Sequence, residues 1–82
     1  MKHDFYSKVN KAYQDGYVDI GCYWNDDPNG KLAIDDAKKL GATDVRRVQL
    51  ERSYDGKRRR NCTYVKPLTF DLAFEIEKKY TF

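Results

Sequence analysis

The sequence predicts a small α+β domain: a three-stranded, mainly antiparallel sheet with helices packed on one face, in the order α-β-α-β-β-α. Three observations lead there. Tyr17 to Trp24 alternates residue types with the period of a strand. Val45 to Lys66 reads as two strands joined by a tight turn at Asp55-Gly56. Three other stretches repeat apolar residues at helical spacing. A chain of 82 residues makes a single domain with a limited core. No linker, internal repeat or low-complexity tract divides it.

The first helix is expected over Asp4 to Gln14, where Phe5, Val9, Ala12 and Tyr13 share a face. Asp4 is placed to accept from the first free amides as N-cap, and Gly16 follows as a stop. In the strand after it, Val18, Ile20, Cys22 and Trp24 are expected to face the core. Tyr17, Asp19, Gly21 and Tyr23 would then look away. Asn25 to Gly30 is rich in turn residues, and a second helix is expected from about Lys31 to Leu40, with Gly41 as its cap. A return strand over Lys31 to Ile34 is the competing reading. Asp35 and Asp36 precede Lys38 and Lys39, an order that suits the helix dipole. Thr69 to Lys79 closes the chain as a helix, with Thr69 as N-cap and Leu72, Ala73, Ile76 and Tyr80 on its apolar face. Phe5, Val18, Ile20, Trp24, Val48, Leu50 and Ile76 are expected to form one core.

Composition narrows the function. Aromatic residues make up 15% of the chain, which argues for a packed core despite a charged fraction of 35%. No apolar run approaches the roughly 20 residues of a membrane span, so no membrane partner is expected. The N-terminal residues show no apolar signal region, and the expected compartment is the cytoplasm. There Cys22 and Cys62 are expected to be reduced and at least partly buried. With His3 they offer at most three soft ligands, short of a structural zinc site. Neither Asp26 and Asp27 nor Asp35 and Asp36 has the loop spacing of a calcium site. No phosphate-cradling glycine loop and no nucleophile–base constellation is present, so neither a cofactor nor enzymatic activity is expected.

The one constellation above background is electrostatic. Residues 45–66 hold eight of the sixteen Lys and Arg residues against only Glu51 and Asp55, about +6, while the remainder is about −3. Lys57, Arg58, Arg59 and Arg60 are consecutive. A strand points successive side chains to opposite faces, so the hairpin is expected to be positive on both faces and at its tip. Edge strands carry one or two cations to discourage pairing, but not four in a row. The expected binding residues are Arg46, Arg47, Arg52, Tyr54, Lys57, Arg58, Arg59, Arg60 and Tyr64. Arginine forks match phosphate geometry, and Tyr17, Tyr23, Tyr54 or Tyr64 could stack on unpaired bases. The expected partner is thus nucleic acid, either RNA or single-stranded DNA. In general style, one aromatic, highly charged domain without a catalytic signature, the chain resembles small proteins encoded by bacteriophages. Many of those block a host nuclease, immune complex or toxin by occupying a surface. That resemblance covers no particular residues. It implies an alternative, an inhibitor of the anti-CRISPR or antitoxin kind, whose basic hairpin docks on an acidic protein surface.

Overall fold

The computed structural model describes residues 2–81, with side chains from Asp4 onward. The side chain of His3 therefore lies outside the described residues. The elements follow the expected order: α1 (Lys2–Gln14), β1 (Val18–Trp24), α2 (Pro28–Lys39), β2 (Asp44–Arg52), β3 (Arg59–Lys66) and α3 (Phe70–Thr81). The sheet is antiparallel throughout, and β3 lies in its middle, in the order β1-β3-β2.

The sheet is covered on both faces, which corrects the expectation of helices on one. The reason is visible along β3. Val65 packs with Val18, Ile20, Ala33, Ile34, Ala37, Ala73 and Ile76 beneath α2 and α3. Its neighbours Cys62 and Tyr64 pack on the opposite side with Ala12, Tyr17 and Val48, where Phe5 and Val9 of α1 close over them. A period of two makes consecutive core residues face opposite ways, so a fully buried central strand needs cover on both sides. The single core expected from the sequence is accordingly two clusters.

Two bulges reset the alternation. In β1 the register slips between Asp19 and Cys22. Gly21 sits there with φ of +116°, and a Cβ at that position would lie 2.6 Å from the Tyr23 hydroxyl oxygen, so only glycine fits. The backbone amide of Gly21 donates to Asp19 Oδ1 at 2.7 Å, and burial holds the Asp19 carboxyl above its ordinary pKa. Beyond the slip the faces exchange: Tyr23, expected to look outward, is 5% exposed beneath α2, and its hydroxyl donates to the carbonyl of Ile20 at 2.7 Å. Trp24 leaves the core and becomes half-buried at the strand's end. In β2 the extra residue is Leu50, between Gln49 and Glu51, and it is 38% exposed rather than buried.

Helix boundaries differ where capping chemistry decides them. α2 begins three residues before the expected Lys31, because Asp27 is its N-cap, accepting from the Asn29 amide at 2.9 Å, and Pro28 occupies the first turn. The same segment excludes the return strand considered for Lys31 to Ile34. α1 begins at Lys2, so Asp4 lies within its first turn rather than at its cap. Thr69 caps α3 as expected, its hydroxyl oxygen accepting from the Leu72 amide at 3.2 Å.

The cysteines are corrected too. Cys22 and Cys62 are directly opposed in the β1–β3 ladder and form a disulfide. Each was correctly placed on a buried face of its own strand. Their pairing depends on β3 lying beside β1, which no single strand reveals. The bond closes a span of 40 residues, for which the chain-entropy model gives about 4 kcal/mol of stabilisation. Reduction by dithiothreitol is therefore expected to lower the unfolding free energy by about that amount, measured by urea titration with and without reductant. In the same assay Ile20→Ala should cost about 2–5 kcal/mol. Leu50→Ala, at the exposed bulge, should cost less than about 1 kcal/mol.

Candidate nucleic-acid interface

The hairpin between β2 and β3 turns through Ser53 to Arg58. The two ends exchange a backbone bond, Ser53 amide to Arg58 carbonyl, at 2.9 Å. Asp55 organises the interior: its Oδ1 accepts from the Ser53 hydroxyl at 2.6 Å and from the Lys57 amide at 3.0 Å. These bonds hold the Asp55 carboxyl below its ordinary pKa, the Ser53 hydroxyl contributing most. Within this turn only Gly56 has positive φ, +74°. A type I′ turn, the tight turn that Asp55-Gly56 favours, requires positive φ at both central residues and is not formed. A longer, side-chain-braced loop replaces it.

The second bulge sorts the hairpin's cations between the two faces. Arg47 pairs with Thr63, Gln49 with Asn61, and Arg52 with Arg59. In an antiparallel ladder paired residues share a face, so all six point to the side occupied by α2 and α3. Were Leu50 an ordinary strand residue instead of the bulge, Arg52 would fall on the opposite side. Arg46 and Arg60 point toward the α1 side. The sorting separates free cations from paired ones. Arg46 donates to Asp15 Oδ2 at 2.9 Å and lies 4.4 Å over the Tyr17 ring. Its guanidinium is the main reason the Asp15 carboxyl is held below its ordinary pKa. Arg60 lies 3.6 Å from Glu51. Lys66 donates to the Asp15 carbonyl at 2.9 Å and stands over the same tyrosine. By contrast Arg47, Arg52, Lys57 and Arg59 are exposed, with no carboxylate within ion-pair distance among the described residues.

Arg58 is a special case. Its Nε lies 2.8 Å from Asp26 Oδ2, and its guanidinium carbon stands 4.5 Å over the Trp24 ring. Next to it, Asn25 extends the β1 edge. Its amide donates to the Arg59 carbonyl and its Oδ1 accepts from the Arg59 amide, both at 2.8 Å. The loop after β1 is thereby fastened to the root of the hairpin.

Of the tyrosines expected at the interface, only Tyr54 is there, fully exposed at the tip. Tyr64 is 2% exposed and packs edge-on against Tyr13 under α1, which removes it from the contact surface. Tyr17 and Tyr23 are buried as well. The acidic residues are each engaged: Asp26 with Arg58, Asp27 at the helix cap, Asp35 with Lys31, and Asp36 with Tyr80 and Lys79.

Sequence reasoning missed a cleft beside the arginines. It has a volume of about 180 Å³ and lies between the open half of the sheet and the start of α2. Thr63, Asn61 and Arg47 contribute from the strands, Asp27, Gly30, Lys31 and Ile34 from α2 and its cap, and Tyr23, Trp24 and Asn25 from the end of β1. The close approach at Gly30, where a Cβ would lie 3.2 Å from that of Tyr23, lets the helix start so near the sheet. No pattern in the sequence joins these residues. They meet only because β3 is central and β1 ends in a loop that turns back over it.

The chain matches no family model, no curated protein and no solved structure. No helix among the described residues is long and apolar enough to cross a membrane.

The Arg58–Asp26 pair is about half exposed, and such pairs contribute little to stability. Asp26→Asn is expected to change the unfolding free energy by less than about 1 kcal/mol in urea. It should also alter the emission of Trp24, the single tryptophan, by loosening the guanidinium above its ring.

Proposed function

We propose that this protein binds single-stranded nucleic acid, RNA or DNA, along the face of the hairpin that carries Arg47, Arg52 and Arg59, with Lys57 at its tip. The observation that supports the reading is the sorting of charge: the exposed arginines without carboxylate partners share one face, while Arg46 and Arg60 are occupied on the other. Unpaired surface cations repel one another and do nothing for the fold, whereas guanidinium forks bind phosphate oxygens in pairs. A single strand is favoured over a duplex because the arginines run beside a small cleft and the fully exposed Tyr54 ring at the tip can stack on an unpaired base. No chemistry of bond cleavage is part of this reading.

The fully exposed Tyr54 favours a second reading, a protein-binding inhibitor anchored by that ring, since tyrosine is a frequent interface anchor. The disulfide bears on where either activity operates. A reducing cytoplasm keeps most protein thiols free, so the bonded form belongs to an oxidising compartment and the reduced form to the cytoplasm expected from sequence.

Salt dependence separates the readings. Four free cations neutralising phosphates on a single strand should give a log–log slope of affinity against salt of about −3, at about −0.7 per phosphate. A tyrosine-anchored protein contact should vary more weakly with salt and lose most of its affinity on Tyr54→Ala. In fluorescence anisotropy with a labelled single-stranded oligonucleotide, Arg52→Ala and Arg59→Ala should each weaken binding several-fold and Arg60→Ala much less. The double reversal of Arg52 and Arg59 to Glu should abolish binding while leaving the urea midpoint unchanged. Full binding by that double variant would overturn the reading.

A further inference from the structure

The cleft next to the arginine face carries unused hydrogen-bonding groups. Thr63 forms its floor. The residue is 2% exposed, its hydroxyl makes no hydrogen bond to the described residues, and since no buried side-chain polar atom among them lacks a partner, that hydroxyl is open to the cleft. A hydroxyl that is open only to a cleft and makes no bond within the protein is available to hydrogen-bond whatever enters. Asn61, the next residue on the same face of β3, lines the cleft with a carboxamide that is also unengaged among the described residues. On the neighbouring strand Arg47 stands opposite Thr63.

Two cations, Arg47 and Lys31, line the cleft with the carboxylate of Asp27, and Lys31 is already paired with Asp35, so the set is mixed and not that of a bare-anion site. The start of α2 offers an anion little: Pro28 has no amide hydrogen, the Asn29 amide donates to Asp27 Oδ1, and the Gly30 amide donates to the Asp27 carbonyl. Asp27 also contributes a carboxylate to the cleft wall, which repels a phosphate placed inside. A hydroxyl, a carboxamide and a carboxylate together suit a neutral group that presents both donors and acceptors along one edge. At about 180 Å³ the cavity is well below the roughly 300–1,000 Å³ of pockets for larger ligands and fits a single heterocycle.

We propose that the cleft receives one unpaired nucleobase of the bound strand, hydrogen-bonded by Thr63, Asn61 and Asp27, while Arg47 at the rim holds the adjoining phosphate. The inference rests on the single-strand reading above and adds the element of base recognition to it. The layout is consistent: Arg59 and Thr63 are on the same face of β3, roughly 13 Å apart along the strand, so a chain laid over Arg52 and Arg59 is led directly to the cleft. The carboxylate of Asp27 can only accept, so bases with an exocyclic amine are preferred over uracil, which presents a carbonyl there.

Trp24 borders the cleft at the end of β1 and is the only tryptophan, so its emission reports on that end of the strand. Oligocytidylate, oligouridylate and an oligocytidylate strand with abasic positions are titrated against the protein, reading Trp24 emission and anisotropy together. Oligocytidylate should change Trp24 emission and bind more tightly than oligouridylate, and the abasic strand should bind weakly without changing the emission. Thr63→Val keeps the side-chain shape and removes a hydroxyl that bonds to nothing in the protein. It should leave the urea midpoint unchanged or raised and weaken oligocytidylate about three- to ten-fold, the loss of one hydrogen bond. Asn61→Ala should do the same by an independent route. If the abasic strand binds as tightly as oligocytidylate and both variants keep full affinity, while reversal of Arg52 and Arg59 still abolishes binding, the cleft is not a base site and the arginine face alone is the binding element. If none of the strands binds the wild-type protein, both proposals fall together.

Discussion

β3 exchanges backbone hydrogen bonds along both of its edges, with β1 on one side and β2 on the other, and so imposes its own alternation on both neighbours. Each odd-numbered residue from Arg59 to Val65 faces α2 and α3, and each even-numbered residue from Arg60 to Tyr64 faces α1. The hydrophobic clusters, the disulfide, the distribution of arginines and the floor of the cleft are all readings of that one ladder. A slip of one residue would exchange every one of them at once.

The bulges matter because they correct what strict alternation would have done. In β1 the slip at Gly21 turns Tyr23 inward, where its ring supports the start of α2, and turns Trp24 toward Arg58. In β2 the slip at Leu50 brings Glu51 beside Arg60 and sets Arg52 beside Arg59. The first aligns hydrophobic cover, and the second aligns charge. Together they leave the outer half of the sheet, on the α2 side, uncovered by helix and rich in polar side chains.

The elements themselves were legible in the sequence because each is specified locally. Alternation marks β1, the Asp-Gly turn marks the hairpin, and Thr69 announces α3. Strand order was not legible, since nothing within Cys22 to Trp24 or within Cys62 to Lys66 says which strand lies between the others. From that one missing fact followed the one-sided sheet and the single core, while the reduced cysteines followed from the expected cytoplasmic compartment. Gly21 was a visible hint of a bulge, whereas Leu50 gave none, being an apolar residue in phase with Val48. The basic hairpin was evident from charge alone, and the division of its arginines into paired and unpaired sets needed the register. Tyr64 looked like a contact residue because sequence shows the face shared with Cys62 but not the helix that covers it. The cleft residues Thr63 and Asn61 carry no signature at all, for a threonine with a free hydroxyl and one with a satisfied hydroxyl are spelled the same way.

The disulfide lies beneath α1, the one helix on that face among the described residues. α1 meets the sheet mainly along β2, and its Tyr6 and Tyr13 remain substantially open to water. The covalent tie between β1 and β3 therefore holds those two strands together independently of the helix above them. Were α1 to lift, its amides would exchange with solvent and Tyr64 would be bared, but β1 and β3 would stay joined through Cys22 and Cys62. The domain is thus built in two tiers of persistence, with the outer helix free to breathe over a sheet whose geometry it does not control.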